Sequence, residues 1–123
     1  MKALLINPAD FDNLVTDLEI DEDGYTGISE AIGLEPHGCF TGVPTDEFGP
    51  NNVGYIDDEG LINGAMQRVG AFAVRDYTSP LAGKAVVLGI DHETGESTDV
   101  DISAQELAKK IGVWTSMGPI FQA

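Results

Sequence analysis

KAVVLGI, residues 84–90, carries five apolar side chains and one glycine behind a single lysine. No polar residue interrupts the run to mark a solvent face, so the segment reads as a strand at the centre of a sheet. Other segments supply neighbours for it. Lys2-Ala3-Leu4-Leu5-Ile6 is a second buried strand, stopped by Asn7-Pro8. Cys39–Val43 and Val53–Ile56 read as two more, joined by a loop from Pro44 to Asn52 rich in Pro, Gly, Asp and Asn.

The segment from Phe11 to Ile20 fits two patterns. Phe11, Leu14, Val15 and Leu18 make a helical stripe, with Pro8 suited to a first turn. Leu14, Thr16, Leu18 and Ile20 alternate instead with Val15, Asp17, Glu19 and Asp21, as in a half-buried strand. The β-branched Val15, Thr16 and Ile20 favour the strand. Asp21-Glu22-Asp23-Gly24 and Asp57-Asp58-Glu59-Gly60 read as turns, the second leading into a short strand at Leu61-Ile62.

Two short helices complete the expected set. Ile28, Ala31 and Ile32 form one, ended by Gly33. Ser103-Ala104-Gln105-Glu106 is a capping box that opens the other, with Leu107, Ala108 and Ile111 on its buried face. Between Asn63 and Pro80 the pattern is weak; Ala65, Met66 and Val69 share one helical face, but Gly64 and Gly70 weaken it. Val113-Trp114-Thr115 is expected as an edge strand and residues 118–123 as a loose tail. The resulting fold class is α+β: one domain over residues 1–117, a mainly antiparallel or mixed sheet and two short helices, in one layer or split between the sheet faces.

Charge limits the function classes. Twenty-one acids stand against six bases, a net charge of −15. The first 60 residues hold fourteen acids against Lys2 alone, and the remainder seven acids against five bases. Such a field repels nucleic acid phosphates and anionic membranes and attracts a basic protein surface. No apolar run reaches the roughly 18 residues of a membrane span. Ala3–Ile6 ends too soon for a secretory signal. The single Cys39 excludes an internal disulfide framework. A cytoplasmic protein is the expectation.

Several of these pieces, in this order, resemble a family of phage and plasmid proteins catalogued as domain of unknown function 3846. They are the opening strand Lys2–Ile6, the helix ending Ala31-Ile32-Gly33, the strand Phe40–Val43 and Tyr55–Leu61 with its acidic turn before Gly60. Pro80–Gly89 and Ser97 through Glu106-Leu107 close the match. The resemblance implies a setting among mobile-element accessory genes. It implies no reaction and assigns no functional residue.

Four sets of residues are candidates for function. The first is an acidic face for protein binding: Asp17, Glu19, Asp21, Glu22 and Asp23, with Asp46 and Glu47 and with Asp57, Asp58 and Glu59. Its expected partner is a host or phage protein with a basic surface, and one form of recognition is DNA mimicry or inhibition of a defence complex. Mimicry requires one continuous carboxylate stripe with alternate strand residues roughly 6–7 Å apart. The second set is a calcium loop in EIDEDGYTGISE, with Glu19, Asp21, Asp23, Tyr25 and Glu30 at ligand positions and Gly24 at the turn. It has an overlong first carboxylate, Glu19, and no second loop to pair with. The third is a metal site from His37, Cys39, Asp91 and His92, against which Cys39 beside Phe40 reads as a small core residue. The fourth is an enzyme site concealed in the pattern. No cofactor is expected. Protein binding is the leading reading, a calcium- or small-ligand-binding module the alternative, and an enzyme the third.

Overall fold

The computed structural model of the chain describes residues 1–21, 25–33, 39–43, 46–58, 69–77 and 79–121. The apolar run at 85–90 is the middle strand of the larger of two sheets. Strands are β1 (Lys2–Ile6), β2 (Val15–Glu19), β3 (Phe40–Gly42), β4 (Asn52–Asp57), β5 (Ala71–Val74), β6 (Leu81–Ala82), β7 (Ala85–Ile90), β8 (Ser97–Thr98), β9 (Ile111–Thr115) and β10 (Gly118–Phe121). The first sheet runs β2-β1-β7-β4-β3, with β8 on the end of β7; the second runs β10-β9-β5-β6. Among the described residues every pairing is antiparallel.

Alternation along β7 explains why its whole run is apolar. Ala85 and Val87 face one side with Leu4 and Ile6; Val86 and Leu88 face the other with Ala3. Phe72, Val74 and Ile111 of the second sheet cover the first side, together with Leu107 of helix α2 (Ala104–Ala108). Helix α1 (Tyr25–Ile32) covers the other side through Ile28 and Ile32. Both faces of β7 therefore leave water, and α1 and α2 lie on opposite faces of the first sheet. The α+β class holds, with two sheets in place of one.

Local signals act where expected. Ser103 caps α2 by accepting the Glu106 N–H at 3.1 Å, and its hydroxyl donates to Glu106 Oε1 at 3.3 Å. Gly33 ends α1 with φ +71°. Residues 15–19 are a strand, as their β-branched content favours.

Four expectations need correction. Ile111 is not on the buried face of α2, which ends at Ala108, but opens β9 opposite Val74. Residues 118–121 are not a loose tail but β10, folded back on β9 by a two-residue turn at Ser116-Met117. The Thr115 hydroxyl holds that turn, accepting from Met117 N–H at 3.1 Å and donating to Gly118 C=O at 2.7 Å. Residues 113–115 are consequently inside the second sheet, and the edge belongs to β10. Pro119, which has no N–H, suits that edge position. In the weakly patterned middle, residues 71–74 form β5, buried throughout. The helical face proposed from Ala65 and Met66 to Val69, the strand at Leu61-Ile62 and the turns at 22–24 and 59–60 lie wholly or mostly outside the described residues.

Candidate cleft beside strand β2

The segment following β8 shapes the surface around β2. Lys2 C=O accepts from Val100 N–H at 2.9 Å, and Lys2 N–H donates to Asp99 Oδ1 at 2.9 Å. Residues 99–100 therefore enter between the ends of β1 and β7. Asn52, buried at the start of β4, anchors the next residue of that segment: its Oδ1 accepts from Asp101 N–H at 2.8 Å while its Nδ2 donates to Phe48 C=O at 2.8 Å. One amide thus ties two crossing segments to the sheet. The result is a cleft of about 440 Å³ between Lys2, Asp17 and Glu19 on one wall and Val100 and Ile102 on the other. Asp99 and Asp101 sit in that second segment, exposed.

Strand register places the acids of β2. Lys2 pairs with Glu19 and Leu4 with Asp17, so both carboxylates share the face of Leu4 and Ile6. They are two residues apart, roughly 7 Å along the strand. Leu18 and Ile20 point the other way, toward α1. A second depression of about 320 Å³ lies on that side, lined by Leu18, Glu19, Ile20, Asp21, Gly27, Glu30 and Ala31. Gly27 allows the close approach: a Cβ there would stand 2.8 Å from the Ile20 Cβ.

The other acids do not join this group. Asp17 is level with Gly54 through the pairs Leu4–Asp17, Leu4–Val87 and Gly54–Val87. Asp58 lies four residues beyond Gly54 and three strand spacings away, roughly 20 Å in all. Asp57 is buried at the end of β4 and engaged by a neighbour, so it is not part of a surface array. Its burial follows from its register opposite Phe40, beside the aromatic contact of Phe40 with Tyr55. Asp46 is exposed and Glu47 half-buried in the loop before β4, where Lys110 Nζ donates to the Glu47 carbonyl at 3.1 Å and lies 3.9 Å from its carboxylate. Among the described residues these clusters therefore do not form the single continuous stripe required for DNA mimicry. Glu22, Asp23 and Glu59 lie outside the described residues.

The calcium frame is altered in the same region. Glu19, Asp21 and Glu30 do line one depression, but β2 stands where an entering helix belongs. Tyr25 opens α1, so its carbonyl is committed to a helical hydrogen bond. Asp23 is outside the described residues. The histidine–cysteine set is dispersed. Cys39 is exposed, not a core residue, because it precedes β3 at the Asp58 end of β4. His92 is exposed at the opposite end, with Nε2 3.0 Å from Pro50 C=O. Asn51 and Asp58 mark these two ends, seven residues or about 23 Å apart. His37 is outside the described residues. Among the described residues no group of three His, Cys, Asp or Glu is placed to hold a metal ion, and no helix is long and apolar enough to cross a membrane.

Sequence reasoning did not reach Asp99, Asp101 and Asn52. The alternation Asp99-Val100-Asp101-Ile102 is the signal that could have found the first two; a single buried Asn leaves no sequence trace. Comparison with known proteins returned no match to a family model, to a curated protein or to a solved structure.

Proposed function

We propose that this chain is a small phage or plasmid accessory protein that binds a host protein, using acidic side chains to recognise a basic surface. The observation that carries this reading is the pair Asp17 and Glu19, exposed on one face of β2 and lining a cleft whose far wall is Val100 and Ile102. Val100 and Ile102 give that cleft an apolar wall, suited to the aliphatic stem of Lys or Arg, with carboxylates to meet the charged head. The resemblance to the phage and plasmid family supplies the setting.

The test is affinity capture from bacterial lysate by the wild-type chain and by Asp17→Asn/Glu19→Gln, at low and high salt. A specific partner is expected with wild type at about 50 mM salt, weakened at about 1 M, where the screening length falls to about 3 Å. The substituted chain should lose it. Recovery of no specific partner at either salt overturns the reading, as does equal recovery by both chains.

A further inference from the structure

The hydrogen-bond register of β1 and β2 fixes which backbone groups of β2 point outward. Asn7 N–H donates to Leu14 C=O, and Ile20 N–H to Met1 C=O. Counting inward by twos, Thr16 and Leu18 bond to β1, while Val15, Asp17 and Glu19 turn their N–H and C=O groups away from it. β2 is the edge of its sheet, and among the described residues these outward groups have no backbone partner. The strand edge is also flanked by a depression on each face, and Leu18 and Glu19 line both.

We propose that the β2 edge is a strand-addition site for an extended cationic segment of a partner protein. This rests on the acidic-surface reading above and specifies how the surface is used. In such complexes main-chain bonds supply affinity, and depressions for alternate side chains supply specificity. The residues with outward backbone groups include both carboxylates, Asp17 and Glu19. In an antiparallel ladder each of them exchanges both bonds with the residue directly opposite, whose side chain shares its face. Lys or Arg at alternate positions of the added strand therefore stands opposite Asp17 and Glu19, next to the cleft of Val100 and Ile102. The intervening residues point toward Leu18, Ile20 and Ala31, so they are apolar. Charge also excludes another occupant. A second copy of β2 laid along this edge would set Asp17 and Glu19 against the same acids, a like-charge arrangement that protects edges from self-association.

The probe is a capped heptapeptide of alternating Lys and Val, titrated into the chain at low salt with amide hydrogen exchange read by NMR. Expected results are saturable binding and slowed exchange of the Asp17 and Glu19 N–H groups. Methylating the Lys backbone nitrogens, which face β2, should weaken binding at least tenfold; methylating the Val nitrogens, which face away, should change it less than about twofold. Asp17→Asn/Glu19→Gln should weaken the parent peptide about fivefold to tenfold through two lost cross-strand charge pairs. Equal binding of both methylated peptides, with exchange unchanged, overturns strand addition while the acidic-surface reading stands. Undiminished binding to the substituted chain overturns the cationic occupant. Failure of the parent peptide to bind overturns strand addition, and lysate capture then judges the broader reading separately.

Discussion

A methyl group added at Gly54 should collide with the ring of Phe48, and shortening that ring should remove the cost. Gly54 lies buried in β4, and an ideal Cβ there would stand 2.5 Å from Cε2, 2.8 Å from Cζ and 3.0 Å from Cδ2 of Phe48. That ring has no exposed surface and packs among Leu4, Val87 and Leu107, so it has little room to swing away. Gly54→Ala is expected to cost about 1–3 kcal/mol by overpacking, offset by the roughly 0.5–1 kcal/mol that alanine gains over glycine inside a strand. Phe48→Leu should cost about 1–2 kcal/mol for the ring carbons removed. Leucine ends at its Cδ atoms, so the two closest obstacles are gone and the new methyl fills vacated space. The double variant should then be at least as stable as Phe48→Leu, a coupling of about 1–2 kcal/mol between the sites. Urea unfolding followed by the fluorescence of the half-buried Trp114 reads this as a midpoint difference of roughly 0.5–1 M. Costs that add within about 0.5 kcal/mol would refute the packing of Phe48 on β4.

Asn52→Ala leaves the Phe48 carbonyl and the Asp101 N–H without their partner, so it should cost about 2–3 kcal/mol in urea unfolding. The same change should speed amide exchange at Asp101 beyond the global effect. Ser103→Ala removes the cap of α2 and should lower stability by about 1 kcal/mol, whereas Ser103→Asp should retain most of it. Calcium at about 1 mM, compared with chelator, should move Tm by less than about 1 °C, since a site held open by β2 gains little from ligand linkage. A rise of several degrees would restore the calcium reading of Glu19 to Glu30.

What was legible in the sequence was what a single periodicity can express. Residues 85–90 lack a polar face because layers cover both sides of β7, and that shows as an uninterrupted run. Residues 15–19 could have been helix or strand, and β-branching at Val15 and Thr16 pointed the right way. β5 was hidden because Ala71-Phe72-Ala73-Val74 is only four residues long and buried on both faces, which removes the alternation that distinguishes a strand. β10 was hidden because its hairpin turn uses Thr115 and Gly118 around Ser116-Met117, not a familiar Asn-Gly pair. Phe48, an aromatic within a polar loop, gave no hint that the loop folds over the core. At the candidate site, alternation placed Asp17 and Glu19 together correctly. Grouping them with Asp57 and Asp58 failed, because only strand order reveals that β1 and β7 stand between.

The hydrogen bond from Val100 to Lys2 has a bearing on how the chain is made. β1 has one side closed by the nearby β2, but its other side needs β7 and then residues 99–100, nearly a hundred positions later. At a synthesis rate of about 5–20 residues per second, the nascent β1–β2 hairpin waits roughly 4–16 s after residue 20 before Val100 is even added. Throughout that interval Leu4 and Ile6, which end fully buried, have no core to enter. With so many distant pairings to close, the chain is expected to be a slow folder. The like charges at Asp17 and Glu19 are expected to disfavour edge-to-edge pairing of such unfinished hairpins.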